Sequence, residues 1–196
     1  MDGLRVTNNE LIVLLDPTGR AIGTAPKAPS HHSETPLHLA FSCYLTDPAG
    51  RILITQRAHG KASFPSVWTN SCCGHPAPGE GLRDAIRRRV RTELGLGVEE
   101  PTLVLPRFRY RATAADGVVE NELCPVVRAT ATGETRLDPE EVEAAEWRDW
   151  DECVALVDHP TASPWFRSQM EQLVPLGAPA EWPAAAPALL PPAITW

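Results

Sequence analysis

A thiol and an imidazole stand two residues apart in Trp68-Thr69-Asn70-Ser71-Cys72-Cys73-Gly74-His75-Pro76. In an extended backbone, residues i and i+2 point to the same side. Cys73 and His75 can therefore face one cavity, the thiol as an acid/base or nucleophile and the imidazole as a metal ligand. Cys72 has no such partner pattern and reads as a buried, inert thiol. Glu120 and Glu122 repeat the spacing with carboxylates, among Val118, Val119, Leu123, Val126 and Val127. Two carboxylates side by side repel unless a cation or a proton lies between them. A metal would resolve that repulsion and leave one carboxylate able to act as a base; the plain alternative is a solvent-facing strand edge. His31, His32 and His38 lie in or just after a polar loop. Three histidines with two glutamates suit a transition metal of borderline softness, such as Mn²⁺ or Zn²⁺.

The elements that must position these groups follow from periodicity. Leu82, Ile86 and Val90 recur four apart, which predicts a helix over 80–94 stopped by Gly95. At about 100° per residue, Arg89 and Glu93 fall on the apolar stripe, while Arg87, Arg88 and Arg91 point away. Inward charges are costly unless paired or bound to a ligand. Two readings stand: an i,i+4 ion pair, or Glu93 holding a cation with Arg89 near a phosphate. Strands are expected at 11–15, 20–24, 37–45, 51–56, 103–112, 118–131 and 144–147, with turns at Asp16-Pro17-Thr18-Gly19 and Asp47-Pro48-Ala49-Gly50. Residues 25–36 read as a polar loop and 58–79 as a long functional loop. Further helices are expected at 149–157 and 164–174. The division predicted is an N-terminal extension over 1–9, one α+β domain over 10–174, and a Pro/Ala-rich, poorly ordered tail over 175–196.

Composition narrows the function. The chain has 196 residues, 43% hydrophobic and 22% charged, as for one globular domain. A net charge of −7 argues against broad nucleic-acid binding, while a small anion needs only a local basic cluster such as Arg57, Lys61 and the run Arg83–Arg91. No apolar run approaches the ~20 residues of a membrane span. Five cysteines, an odd number with no CxxC pair and no secretory signal pattern, favour reduced thiols in the cytoplasm.

Several motifs in order resemble the type I isopentenyl-diphosphate Δ-isomerases of the Nudix superfamily, from about Glu10 to Trp165. They are Lys27, the His31…His38 spacing into Pro36-Leu37-His38-Leu39-Ala40-Phe41-Ser42, Arg57…Lys61, the Trp68–Pro76 segment, Phe108-Arg109-Tyr110-Arg111-Ala112, and Glu120-Asn121-Glu122-Leu123-Cys124-Pro125. The Nudix spacing Gly74…Glu80…Arg88 is kept, but Arg89 stands where that pattern has Glu, and its later glutamate pair is reduced to Thr92-Glu93. Hydrolysis needs the missing carboxylates to hold water-activating metals, so the departure favours isomerisation over diphosphate hydrolysis.

The resemblance implies a Nudix-like α/β/α sandwich with a mixed sheet and a prenyl diphosphate substrate, isopentenyl exchanging with dimethylallyl diphosphate through a carbocation-like state. It implies one Mn²⁺, Mg²⁺ or Zn²⁺ on His31, His38, His75, Glu120 and Glu122, the spacing from His38 favouring His31 over His32. It implies a Mg²⁺ that arrives with the diphosphate and binds Glu93, and Lys27, Arg57, Lys61 and Arg89 neutralising the diphosphate. Cys73 and Glu122 would be the acid/base pair, Trp165 would face the cation, and Tyr110 would hydrogen-bond near Glu122. Neither nucleic acid nor membrane is expected as a partner, and the oligomeric state is left open, a monomer included.

Overall fold

The computed structural model describes residues 10–196; the expected extension over 1–9 lies outside them. The chain starts as a hairpin of β1 (Leu11–Leu15) and β2 (Ala21–Pro26). Its turn is held by Asp16 Oδ1, which accepts from the backbone N–H of Thr18 at 2.8 Å and of Arg20 at 3.0 Å. The polar loop that follows contains one helical turn, α1 (Lys27–Ser30).

The apolar stretch expected as one strand over 37–45 divides at Ala40 into β3 (His38–Leu39) and β4 (Phe41–Thr46). A second hairpin leads into β5 (Ile52–Arg57), and the long loop after it carries two short strands, β6 (Trp68–Thr69) and β7 (Cys72–Gly74). Helix α2 (Leu82–Leu94) ends where Gly95 adopts a φ of 71°, in the left-handed region glycine favours. The strand expected over 103–112 is two, β8 (Gly97–Leu105) and β9 (Arg109–Thr113). The one expected over 118–131 is β10 (Val119–Leu123) and β11 (Val126–Thr132). Strand β12 (Val142–Arg148), α3 (Trp150–Leu156) and α4 (Pro164–Leu173) follow.

Two sheets result, in the orders β2-β1-β3-β10-β9 and β12-β5-β4-β11-β8, with β6 beside β5 and β7 beside β4. Two chain segments pass side by side from one sheet to the other. Thus β3 pairs in parallel with β10, and β4 in parallel with β11, while the remaining pairs are antiparallel. At the crossing, Ala40 N–H donates to Leu123 O and Ser42 N–H to Pro125 O, both at 3.0 Å, so the backbone stays paired where Pro125 has no N–H to give.

Successive residues of β4 point to opposite sides and both sides are buried, which is why this run is mostly apolar, with Ser42 the buried polar exception. Phe41, Cys43 and Leu45 pack with Leu82, Ile86 and Val90 of α2. Tyr44, with Ile52 and Ile54, packs with Phe166, Met170 and Leu173 of α4. The α/β/α layering with a mixed sheet is the architecture expected. Among the described residues no helix is long and apolar enough to cross a membrane.

The tail corrects its expectation. Residues 175–196 are laid against the domain in three short 3₁₀ turns. Trp182 is 1% exposed and edge-on to the rings of Tyr44 and Trp150. Backbone hydrogen bonds tie Ala185 N–H to Leu103 O and Leu82 N–H to Thr195 O, and Arg83 lies over the Trp196 ring. Composition missed this because Trp182, Leu190 and Ile194 supply apolar surface at intervals, and the prolines between them lower the entropy lost on ordering the segment.

Candidate functional site

The crossing of the two sheets assembles the site. Parallel pairing sets His38 opposite Glu122, and the antiparallel neighbour sets Glu122 opposite Tyr110. Three adjacent strands thus carry an imidazole, a carboxylate and a phenol in one row. Glu120, two residues before Glu122, falls on the same face. On the other side of the crossing, Ser42 in β4 pairs with Cys73 in β7, and His75 follows where β7 ends.

Ligand atoms of His31, His38, His75 and Glu122 lie within 4.8 Å of one another. His31 Nδ1–H donates to Lys27 O at 2.8 Å and His38 Nδ1–H to Pro36 O at 2.9 Å, which leaves each Nε2 with a lone pair. His38 Nε2 and His75 Nδ1 are buried without a hydrogen-bond partner. Orphaned nitrogens beside a buried carboxylate are costly in a bare site, and a divalent metal is what such a donor set fits. Burial pushes His75 down to about 3 and lowers His31, so both rings are neutral and able to ligate. Burial opposes ionisation of His38 and Glu122 as well. The attraction between the His38 ring and Glu122 Oε1, 3.4 Å from its Nε2, outweighs it and raises His38; together with the His75 hydrogen bond it holds Glu122 well below the usual carboxylate range. His32 is turned elsewhere, its Nδ1 accepting from Glu34 N–H.

Glu120 sits beside this cluster with its oxygens engaged: Oε1 accepts from Ser63 Oγ at 2.5 Å and Oε2 faces Tyr110 OH at 2.8 Å. Tyr110 OH is also 2.9 Å from Glu122 Oε2. One phenolic proton thus faces two carboxylates, and burial together with those charges keeps it on the phenol.

Cys73, His75, Tyr110, Glu120, Glu122 and Trp165 line one cavity of about 260 Å³ together with Lys27, His31, Arg57, Lys61, Arg89 and Glu93. The Cys73 sulfur is 3.2 Å from Asn70 Oδ1 and 3.3 Å from Ser42 Oγ, and burial pushes its thiol up to about 12. It is therefore a protonated thiol at neutral pH, suited to hold or give a proton. Cys72 packs in the core at 2% exposure and also reaches the cavity wall.

Of the two readings of the inward charges on α2, the structure has the i,i+4 ion pair. Arg89 is paired with Glu93, and both side chains line the cavity. Arg57 donates to the carbonyls of Phe64 and Ser63 at 3.1 and 3.0 Å, and its guanidinium stands over the Trp165 ring at 5.6 Å. Trp165 is further fixed against Phe64 and Tyr110. Gly74 makes the close approach of α2 possible: a Cβ there would meet Arg89 Cγ at 2.9 Å and Phe41 Cζ at 3.1 Å.

Sequence reasoning missed Glu10, Ser42, Ser63, Glu141 and Gln169. Glu10 and Glu141 line the cavity. Gln169 Nε2 donates to Ser42 Oγ at 2.8 Å, while its Oε1 accepts from Tyr44 OH at 2.8 Å. The available signal was the i+4 relation of Gln169 to Trp165 on an otherwise apolar helix face.

A NUDIX domain model matches residues 36–169. An isopentenyl-diphosphate Delta-isomerase of Saccharopolyspora erythraea is 56% identical, covering 93% of this chain and 95% of the relative. One of Mycolicibacterium vanbaalenii is 58% identical, covering 84% and 91%. Among solved structures, a protein from Deinococcus radiodurans superposes with a TM-score of 0.64 at 15% identity, over 83% of this chain and 98% of that one. A MutT NUDIX hydrolase from Burkholderia pseudomallei gives 0.54 at 26% identity, over 70% and 98%.

Proposed function

We propose that this chain, which belongs to the isopentenyl-diphosphate Delta-isomerase family and carries a NUDIX domain, interconverts isopentenyl and dimethylallyl diphosphate with Cys73 and Glu122 as its proton-transferring pair. The observation that carries the reading is one cavity lined by a protonated thiol, a His/Glu cluster, a tryptophan and four basic side chains.

Lys27, Arg57, Lys61 and Arg89 anchor the diphosphate, so that the five-carbon chain extends toward Cys73 and Glu122. A proton is added at the C4 methylene carbon, the double-bond electrons form the new C–H bond, and a tertiary cation-like centre is left at C3. Removal of a proton from C2 then returns that C–H pair as the new double bond. Cys73 and Glu122 stand on opposite faces of the substrate, one giving and the other taking. The alkene is a weak base, so the acid must be close and water excluded. Trp165 presents its π-face to the cation, and the Tyr110 hydroxyl orients the Glu122 carboxylate. A divalent Mn²⁺, Mg²⁺ or Zn²⁺ held by His31, His38, His75, Glu120 and Glu122 would draw charge from Glu122 and so set its proton affinity. Glu93 would hold the Mg²⁺ that arrives with the diphosphate.

Hydrolysis is disfavoured by α2 itself, where Arg89 and exposed Thr92 occupy places that a hydrolase needs for carboxylates. The test is isopentenyl diphosphate with the protein in D₂O and Mg²⁺. Deuterium is expected in the C4-derived methyl group of dimethylallyl diphosphate. Absence of isomer and of exchange overturns the reading, and release of inorganic phosphate replaces it with hydrolysis. All five cysteines are free, which fits a reducing cytoplasm.

A further inference from the structure

Three of the four pocket cations already have carboxylates of the chain as partners. Glu10 Oε2 is 2.8 Å from Lys27 Nζ, and its Oε1 is 3.6 Å from Arg89 Nη1. Glu141 Oε2 is 2.5 Å from Lys61 Nζ, and its Oε1 is 3.4 Å from Arg89 Nη2. Arg89 is also paired with Glu93. Only Arg57 is held by backbone carbonyls instead. Glu93 has a role as the ligand of the incoming Mg²⁺, but Glu10 and Glu141 have none in proton transfer. They arrive from different places, one just before β1 and the other just before β12. Both carboxylates are largely buried, at 16% and 19% exposure. Buried carboxylates this close to an anion site weaken anion binding unless the anion brings a counter-charge.

The charge count makes this specific. Glu120 and Glu122 also line the cavity and are set against the divalent ion of the histidine cluster; at the diphosphate end, Lys27, Arg57, Lys61 and Arg89 against Glu10, Glu93 and Glu141 leave the lining near one net positive charge. A free diphosphate ester carries about three negative charges, and its magnesium complex about one. The complex neutralises the lining, whereas the free trianion leaves unbalanced negative charge in a partly buried site. We propose that Glu10 and Glu141 are specificity residues that admit the diphosphate as its magnesium complex and reject the free anion, while holding Lys27, Lys61 and Arg89 in place until it arrives. This rests on the diphosphate reading above and deepens it.

The test is calorimetric titration of the metal-loaded full chain with inorganic pyrophosphate, with and without Mg²⁺ at constant ionic strength. Wild type is expected to bind the magnesium complex the more tightly. Glu141→Gln keeps an acceptor for Lys61 and loses only charge. It is expected to bind free pyrophosphate about tenfold more tightly, with the magnesium complex changed by less than about threefold. Glu10→Gln should shift the ratio in the same direction, and an unchanged thermal midpoint in each variant establishes that the fold is intact. An unchanged ratio in both variants, or equal weakening of both forms, overturns the proposal and leaves these carboxylates as struts for the cations. Failure of wild type to bind either form overturns the diphosphate reading itself.

Discussion

Tyr110 has one proton and two carboxylates within reach, Glu120 at 2.8 Å and Glu122 at 2.9 Å. It can satisfy only one at a time, so the other depends on an added cation or proton. Tyr110→Phe removes this choice without removing volume. Its kcat is expected to fall by about 10²-fold or more with KM little changed, measured as isomer formed; unchanged kcat would leave Tyr110 as packing alone. Cys73→Ala acts on the other side of the cavity. Its sulfur touches Asn70 and Ser42 and no member of the histidine cluster. Turnover is therefore expected to disappear while metal content by mass spectrometry stays at the wild-type ratio. Turnover near wild type would remove the thiol from the chemistry.

At the scale of elements, α2 and β7 meet through a glycine. Gly74→Ala would drive a methyl against Arg89 Cγ and Phe41 Cζ, both held by tight packing. The expected result is a loss of about 1–3 kcal/mol in unfolding free energy and a KM increase larger than the fall in kcat, because Arg89 moves and Cys73 does not. Chemical denaturation and steady-state kinetics check the two halves. Helix α2 was legible in advance, down to the burial of Arg89 and Glu93, because a 3.6-residue period leaves a countable stripe. The Glu120/Glu122 face was legible for the same kind of reason, a period of two. The strand divisions at Ala40 and at Cys124-Pro125 were not, since a strand buried on both faces reads the same in either sheet; Pro125 was the only local sign. Glu10 and Glu141 escaped because no period links them to the site: they meet Arg89 only through the tertiary fold.

For the molecule as a whole, the tail adds to the core and a surface ion pair makes stability depend on pH. Trp182 closes the layer over α3 and α4, with its Nε1–H donating to Gly177 O at 2.9 Å. Trp182→Ala is expected to cost about 3–5 kcal/mol, seen as a lower denaturation midpoint; an unchanged midpoint would mean that the tail does not contribute to the core. Acid should also unfold the protein in part through Glu80, which the Arg88 guanidinium holds below the usual carboxylate range. Its folded pKa lies below the unfolded one of about 4.3. The contribution is therefore present above that value and lost as pH falls through the folded pKa. Glu80→Gln should show a shallower fall in stability on acidification than wild type, measured by urea denaturation at a series of pH values.

The passage of two strands between sheets has a kinetic consequence. His38 meets Glu122, and Ser42 meets Val126, only after a long intervening segment has folded and returned in parallel. Contacts of such sequence separation form late and slowly. No short fragment of the unfolded chain gathers His31, His38, His75 and Glu122, so a divalent ion taken up there would stabilise the finished protein without nucleating it. The cluster would thus check the fold: only a chain that has completed the crossing brings these four ligand groups together.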